Sequence, residues 1–384
     1  MAASDDQTPI NRPRILEVLF SFRVGGSEVV GFELAKQLHE SGAEVICASL
    51  DGIGGPLQSR CDEIGLPIVD LQISKKGLLA RNGISLGLSK RLATLKVDVV
   101  HLQHFVALNK IGLPARMAGI PRIVVTEHSE AQLLESLAGR IRLRLNWRLA
   151  HRITVIHEGL RRYLIEQLHV PQDRIEVIAN GIDLRVWQAS DRQQCRTDLG
   201  LNSEFTFAFV GRLAEVKNVP GLITAFLAAA SKLPMPVKLV IVGDGAEMER
   251  CRQLASEHSL GACVSLVGEH TDTRRFLAAA DAFILNSHSE GVPRALLEAM
   301  AMGLPCIAPA VGGIPELLAG RGWLTSPNDV QSVILAISDV AQNQLAARSK
   351  AREGRQYVSN RFNSTDTLQR YQRALFSHLT ETEY

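Results

Sequence analysis

Short apolar runs alternate with amphipathic stretches along almost the whole chain, and this alternation constrains the fold more than any other feature. The first run spans 15–20 and leads into a glycine-containing turn, Val24-Gly25-Gly26-Ser27. A helical period follows, with Val30, Leu34, Ala35 and Leu38 on one face, and closes at Ser41-Gly42. Further strand-like runs lie at 45–49, 67–70, 97–102, 122–126, 153–157 and 175–178. After Asn180-Gly181-Ile182-Asp183 the pattern restarts, with runs at 205–210, 237–242, 264–267, 282–285, 305–308 and 322–324. Runs separated by amphipathic stretches suit strands buried on both faces of a parallel sheet covered by helices. The order predicts an α/β fold: two Rossmann-like, doubly wound parallel-sheet domains facing a central cleft.

The restart sets the expected boundaries: a disordered tail over 1–13, a first domain over 14–183 and a second over 184–363. The stretch 330–383 reads as helical, broken at Arg361-Phe362-Asn363-Ser364. Ser364 is the expected N-cap of a last helix, 364–384, which packs back on the first domain. A chain of 384 residues is longer than one ordinary core supports. With 46% hydrophobic and 21% charged residues it is not wholly disordered, collagenous or coiled-coil.

Formal net charge is +2, with +3 on residues 1–185 and −1 on the remainder, so no electrostatic footprint for nucleic acid is present. The six cysteines, Cys47, Cys61, Cys195, Cys251, Cys263 and Cys306, include no Cys-x-x-Cys pair, and read as reduced, buried thiols. No apolar run approaches the roughly 18 residues of a spanning helix. Residues 1–9 carry Asp5 and Asp6 and lack an apolar core, so no signal peptide is read there. The expectation is a cytoplasmic protein whose membrane contact, if any, is peripheral at the inner face.

Open α/β sheets bind ligands beyond the carboxyl ends of their strands, so chemistry is sought there. Gly211-Arg212-Leu213 follows the run at 205–210, and Lys217 lies in the same loop. A planar fork and a point charge aimed at one place suit a diphosphate, although the residues alone also allow two solvated cations. A second such place follows the run at 282–285: Ser287-His288-Ser289-Glu290-Gly291-Val292-Pro293-Arg294. Proline is tolerated at the first helical position, so a helix starting near Pro293 presents free N–H groups to an anion. Glu290 precedes this turn, and Glu298 lies about two turns into the helix. One carboxylate can face a ligand while the other accepts sugar hydroxyls; a cap and a solvated helix residue are the structural alternatives.

Glu290-Gly291-Val292-Pro293-x4-Glu298-Ala299-Met300-Ala301-x-Gly303-x-Pro305 resembles the Glu-x7-Glu signature of retaining glycosyltransferases of the GT-B fold, family 4, the glycosyl transferases group 1. Gly211-Arg212-Leu213-x3-Lys217-Asn218, Val242-Gly243-Asp244-Gly245, Asn180-Gly181-Ile182-Asp183 and Gly312-Gly313-Ile314-Pro315-Glu316 are similar to other landmarks of that family, in its order.

The resemblance implies a hexosyltransferase that takes a nucleotide-sugar, UDP-hexose favoured, and glycosylates a saccharide or lipid-linked saccharide, in cell-surface polysaccharide synthesis. Arg212 and Lys217 would hold the diphosphate, assisted by backbone N–H groups of Gly291, Val292 and Arg294 around Pro293. Glu298 would take the ribose hydroxyls, and Glu290 the hydroxyls of the donor sugar. Gly25 and Gly26 would admit the phosphates to the backbone of the first domain. The nucleoside would lie by Gly211, Gly243, Gly245 and Val267.

His128, at a strand's carboxyl end, would contact the sugar. His104, after another strand, and Asn180 are expected on the acceptor side. Neither cofactor nor metal is expected: His101-x-x-His104 has no local carboxylate to complete a site, and no Asp-x-Asp follows a strand. Retention can come from a covalent glycosyl-enzyme or from same-face attack with the leaving phosphate taking the proton; the resemblance favours the second.

Arg140, Arg142, Arg144, Arg148 and Arg152 share a stretch with Ile141, Leu145, Trp147 and Leu149, and a basic amphipathic helix here would suit an anionic membrane surface. Two other functions compete. Gly243-Asp244-Gly245 begins a dinucleotide-type turn, as in an oxidoreductase, but Met248 stands where the third glycine belongs. A silent nucleotide- or sugar-binding protein is the other, opposed by the intact set Arg212, Lys217, Glu290 and Glu298.

Overall fold

The computed structural model describes residues 12–23, 25–73, 85–129, 143–188, 191–270 and 272–380. The chain forms two compact units, one of Met1–Ala179 with Thr367–Tyr384, the other of Asn180–Asp366.

The first unit is built on β1 (Arg14–Leu19), β2 (Glu44–Ser49), β3 (Val99–Gln103), β4 (Arg122–Glu127), β5 (Arg152–Val155) and β6 (Ile175–Val177). They form one parallel sheet in the order β2-β1-β3-β4-β5-β6. Its helices are α1 (Gly26–Glu40), α2 (Pro56–Glu63), α3 (Leu86–Leu95), α4 (Phe105–Met117) and α5 (Glu158–Leu168). Strand periodicity sends alternate residues to opposite faces. Leu16 and Val18 therefore join one core with Leu102, Val125 and Ile153, while Ile15 and Leu19 join another with Val99, Val124 and Tyr371.

The stretch at 67–70 does not become a strand. It makes a single bridge, Cys47 to Ile68. Pro67 has no N–H to give, and the Gln72 N–H turns back to Asp70 Oδ1 (2.8 Å).

The second unit repeats the scheme with β7 (Phe205–Val210), β8 (Val237–Val242), β9 (Val264–Gly268), β10 (Ala282–Ile284), β11 (Cys306–Pro309) and β12 (Trp323–Thr325). Its parallel order is β12-β11-β10-β7-β8-β9. The helices are α6 (Arg192–Asp198), α7 (Val219–Ala230), α8 (Met248–Glu257), α9 (Arg274–Ala279), α10 (Arg294–Ala301), α11 (Ile314–Leu318), α12 (Val330–Gln342) and α13 (Gln344–Arg361). α7 is buried along most of its length, through Leu222, Ile223, Phe226 and Ala229 among others.

The helical stretch beyond 330 breaks twice. Asn343 ends α12 and starts α13, its Oδ1 accepting from the Ala346 N–H (3.3 Å). The last helix, α14 (Ser364–Thr380), is capped by Asn363 and not by Ser364: the Thr365 N–H donates to Asn363 Oδ1 (3.1 Å), and the Ser364 N–H goes instead to the Ile182 carbonyl (3.1 Å). α14 lies on the first unit's sheet. Tyr371, Ala374 and Leu375 enter its core, Arg122 Nε donates to the Ala374 carbonyl (2.9 Å), and Arg370 donates to the Val177 carbonyl (2.6 Å).

Candidate active site

In the second unit the sheet order reverses between β7 and β10, and the loops leaving those two strands carry the predicted residues. After β7 the chain passes Gly211 and Arg212, then turns through Glu215–Lys217. After β10 it runs through Ser287 and Glu290 to α10. The two loops are joined, since the His288 N–H donates to the Val216 carbonyl (2.8 Å). Lys217 Nζ donates to Glu290 Oε1 at 2.6 Å, and Ser287 Oγ donates to the same oxygen at 2.6 Å. The Glu290 side chain is 8% exposed, so its charge is met by an ammonium and a hydroxyl rather than by water. Ser287 went unread in the sequence; its place three residues before Glu290 was the available signal.

Arg212 is exposed, and its guanidinium has no hydrogen-bond partner among the described residues. It is a free fork beside a lysine that an internal carboxylate occupies. Pro293 occupies the cap position of α10 rather than its first helical position, so the helix starts one residue later than expected, at Arg294. Glu298 is buried and not a solvated helix residue. Burial pushes its carboxyl upward, and Arg294, whose Nε donates to Glu298 Oε1 (2.8 Å), opposes that shift.

The glycines shape these loops through close backbone packing. Gly243 has φ 138°, and a Cβ there would strike the Gly211 carbonyl; a Cβ on Gly245, at φ 155°, would strike the Leu213 carbonyl. Leu213 N–H donates to the Asp244 carbonyl (2.8 Å) and Glu247 N–H to that of Leu213 (2.9 Å), locking the two loops together. Gly312, at φ 53°, lies against the Glu290 carbonyl in the same way, and the Gly313 N–H donates to the Gly291 carbonyl (2.8 Å). Val267 is half-buried in β9, its carbonyl hydrogen-bonded to His270 Nε2 (3.2 Å).

In the first unit a buried polar chain crosses the sheet on the face that α14 covers. Glu17 Oε2 accepts from His101 Nδ1 (2.7 Å), and His101 Nε2 meets Thr126 Oγ1 (2.7 Å), which meets Thr154 Oγ1 (2.5 Å). Glu17 Oε1 accepts from Gln103 Nε2 (2.6 Å), which leaves Gln103 Oε1 to accept from His128 Nε2 (2.6 Å). His128 therefore carries its proton on Nε2. Burial first, then the neighbouring His104 and His101, hold its pKa well below the ordinary value, so it is neutral with a lone pair on Nδ1. Glu17 passes unnoticed in sequence inside an apolar run; a lone carboxylate in a central strand was the signal.

His104 and Glu127 form a second pair, Nδ1 to Oε1 at 2.9 Å. Glu127 also accepts the N–H groups of Phe105 (2.9 Å), His128 (2.8 Å) and Ser129 (3.2 Å). Burial works against its charge, but His104 and these donors leave its pKa lowered overall.

Gly25 caps α1 and packs against the Glu28 side chain, whereas a Cβ on Gly26 would meet nothing within 4 Å. Asn180 is buried in the second unit, and its Oδ1 has no hydrogen-bond partner among the described residues.

The arginine stretch departs from the expectation. Arg140 and Arg142 lie outside the described residues. Arg152 belongs to β5, and Arg148 to a short turn at Trp147–Leu149, so no continuous basic helix runs to residue 152. Arg144 donates to the Gln167 carbonyl (2.8 Å), Arg148 lies 4.7 Å over the Trp147 ring, and Arg152 pairs with Glu176 (3.2 Å). These cations are used by the fold. Of the six cysteines, Cys195, within α6, and Cys263, in the short turn just before β9, are only partly buried, whereas the other four are buried. Among the described residues no helix is long and apolar enough to span a membrane, and no cluster of three His, Cys, Asp or Glu side chains could hold a metal ion.

Residues 24–186 match the family model Glycosyltransferase Family 4, and 191–357 match Glycosyl transferases group 1. The chain is 32% identical over 281 residues to the UDP-Gal:alpha-D-GlcNAc-diphosphoundecaprenol alpha-1,3-galactosyltransferase of Escherichia coli, covering 68% of this chain and 70% of that protein. It belongs to glycosyltransferase family 4. Another member, the N-acetyl-alpha-D-glucosaminyl L-malate synthase of Bacillus anthracis, is 25% identical over 370 residues, 93% of this chain and 95% of that enzyme. The solved structure of Anabaena Alr3699/HepE in complex with UDP superposes with a TM-score of 0.81 at 20% identity, covering 94% of this chain and 98% of that one. The family 4 chain thus has the α/β fold of the GT-B glycosyltransferases, and it is a glycosyltransferase. The oxidoreductase and silent-binder readings fall with that assignment.

Proposed function

We propose that this glycosyltransferase transfers a hexose from a nucleotide-sugar, UDP-hexose favoured, to a saccharide or lipid-linked saccharide, with retention of anomeric configuration and without a metal, in cell-surface polysaccharide synthesis at the cytoplasmic side of the membrane. The observation that carries the reading is the Lys217–Glu290–Ser287 cluster at the β7/β10 switch point, beside a free Arg212 and the start of α10. Two relatives support the donor class: the Escherichia coli enzyme is named for UDP-Gal, and the Anabaena fold is solved with UDP. The former's diphosphoundecaprenol acceptor supports the lipid-linked alternative.

In this reading Arg212 and Lys217 bind the diphosphate, and Glu298 the ribose. As the anomeric C–O bond breaks, negative charge grows on the phosphate, where these cations and the N–H groups at Val292–Arg294 stabilise it. Lys217 leaves Glu290 for the phosphate, and Glu290, still held by Ser287, accepts sugar hydroxyls. His128 offers its Nδ1 lone pair to a sugar hydroxyl. The departing phosphate takes the acceptor's proton on the same face. The resemblance to family 4 favours this route over a covalent glycosyl-enzyme.

A thermal-shift screen against UDP, GDP, ADP and TDP tests the donor class. A true ligand at a hundred times its dissociation constant adds about 2.7 kcal/mol. Stabilisation by a different diphosphate, with UDP inert, would replace the uridine assignment.

A further inference from the structure

The first unit has a switch point of its own. From β1 the chain passes to β2 on one side, and from β3 to β4 on the other, so the carboxyl ends of β1 and β3 flank the place where an open α/β sheet takes a ligand. His104 is the first residue after β3 and caps α4. Its backbone is held at φ 74°, ψ 148°, a strained region that side-chain-bearing residues avoid.

That strained placement fixes the ring. Nδ1–H donates to Glu127 Oε1 (2.9 Å), and three backbone N–H groups hold the Glu127 carboxylate so that it cannot turn away. The ring of His128 lies 4.9 Å off, its own Nε2 committed to Gln103. The other nitrogen of His104, Nε2, is buried and has no hydrogen-bond partner among the described residues, and the residue as a whole is 2% exposed. A buried polar atom left unmet is destabilising, and a ligand atom that meets it removes that cost.

The surrounding charges define what that atom can be. Glu127 balances an imidazolium at His104, and Glu28, in the first turn of α1, is close enough to add a further negative charge. A carboxylate or phosphate brought to Nε2 would meet no net positive charge. A neutral hydroxyl both donates and accepts, so it satisfies Nε2 with or without a proton there.

Resting on the glycosyltransferase reading above, we infer that His104 is an acceptor-binding residue whose Nε2 hydrogen-bonds a neutral hydroxyl of the sugar that receives the hexose. Glu127 is its positioning residue.

The test uses the full chain, the UDP-sugar that binds best by calorimetry, and octyl glucoside and octyl galactoside as neutral acceptors against octyl glucuronide and glucose 6-phosphate. His104→Ala should raise acceptor KM by about tenfold or more while kcat moves less than about threefold, and His104→Gln, which keeps an N–H donor, should recover most of the loss. UDP should bind His104→Ala as it binds the parent. The parent should prefer the neutral acceptors. An unchanged acceptor KM in His104→Ala, a matching loss of UDP affinity, or preference for the charged acceptors overturns the inference. Calorimetry on the parent distinguishes the two failures: if no UDP-sugar binds, the donor reading has failed, whereas tight donor binding with an indifferent His104 removes only the acceptor residue.

Discussion

Lys217→Ala should separate the stabilising role of this lysine from its chemical one. In the fold its ammonium is the charge partner of Glu290, at 2.6 Å and with side-chain exposures of 23% and 8%. Exposed ion pairs contribute about 0–1 kcal/mol, and breaking a fully buried one costs about 3–5 kcal/mol. This half-buried pair belongs between those limits, at about 2 kcal/mol, which in a domain of this size lowers Tm by about 4–8 °C. Arg212→Ala, by contrast, removes an exposed cation that has no partner among the described residues and should move Tm by about 1–2 °C at most. Both variants should lose transfer by roughly a hundred- to a thousandfold. Adding Glu290→Gln to Lys217→Ala removes the unpaired charge and leaves an amide for Ser287, so stability should return while transfer stays lost. Differential scanning fluorimetry supplies the first readout, UDP calorimetry and UDP release the second. A Lys217→Ala protein as stable as the parent would refute the pairing, and an Arg212→Ala protein with parental UDP affinity and turnover would refute the phosphate assignment.

Other consequences follow from the same geometry. Burial, with Arg162 second, lowers the pKa of His157 to about 4, so the folded chain refuses a proton that the unfolded chain accepts below about 6.5. Stability should therefore fall as pH drops through that window, by about 3 kcal/mol at its lower end. His157→Asn, which keeps an acceptor for the Leu160 N–H, should flatten the dependence, and urea midpoints at pH 7 and 4.5 would show it. Glu298 has a raised pKa, so its cost to the fold is absent at low pH and appears as pH rises through the folded value; Glu298→Gln should raise Tm at pH 8 yet weaken UDP binding roughly tenfold, measured by calorimetry. Gly312→Ala forces a Cβ onto the Glu290 carbonyl at a positive φ, and should lose more than about 2 kcal/mol in a urea titration together with UDP affinity.

The sheet architecture was legible because buried parallel strands leave short apolar runs bounded by turn residues and separated by amphipathic stretches. The run at 67–70 failed for a local reason, a proline without an N–H and an aspartate that turns the chain. Lys217, Glu290 and Glu298 were legible because each follows a strand at a fixed spacing within a recognisable motif. Glu17, Gln103 and Glu127 were not: their partners come from neighbouring strands, and a sequence shows neither register nor which face a side chain takes. The basic stretch misled for a related reason. Four-residue spacing of arginines describes a helical face only while the helix continues, and Arg152 already belongs to a strand. Asn343 breaks a segment that reads as continuous helix, because its side-chain oxygen meets a first N–H of the next helix; the break at 361–364 was legible, although Asn363 and not Ser364 caps the helix that follows.

The most direct measurement is proton NMR of the product formed from a UDP-hexose and an octyl glycoside, with the parent and the Arg212→Ala protein side by side. The account predicts UDP release with the donor's anomeric configuration kept in the new glycoside, unchanged by a chelator and lost in Arg212→Ala. An inverted product, a requirement for a divalent ion, or turnover by Arg212→Ala at the parental rate would contradict it.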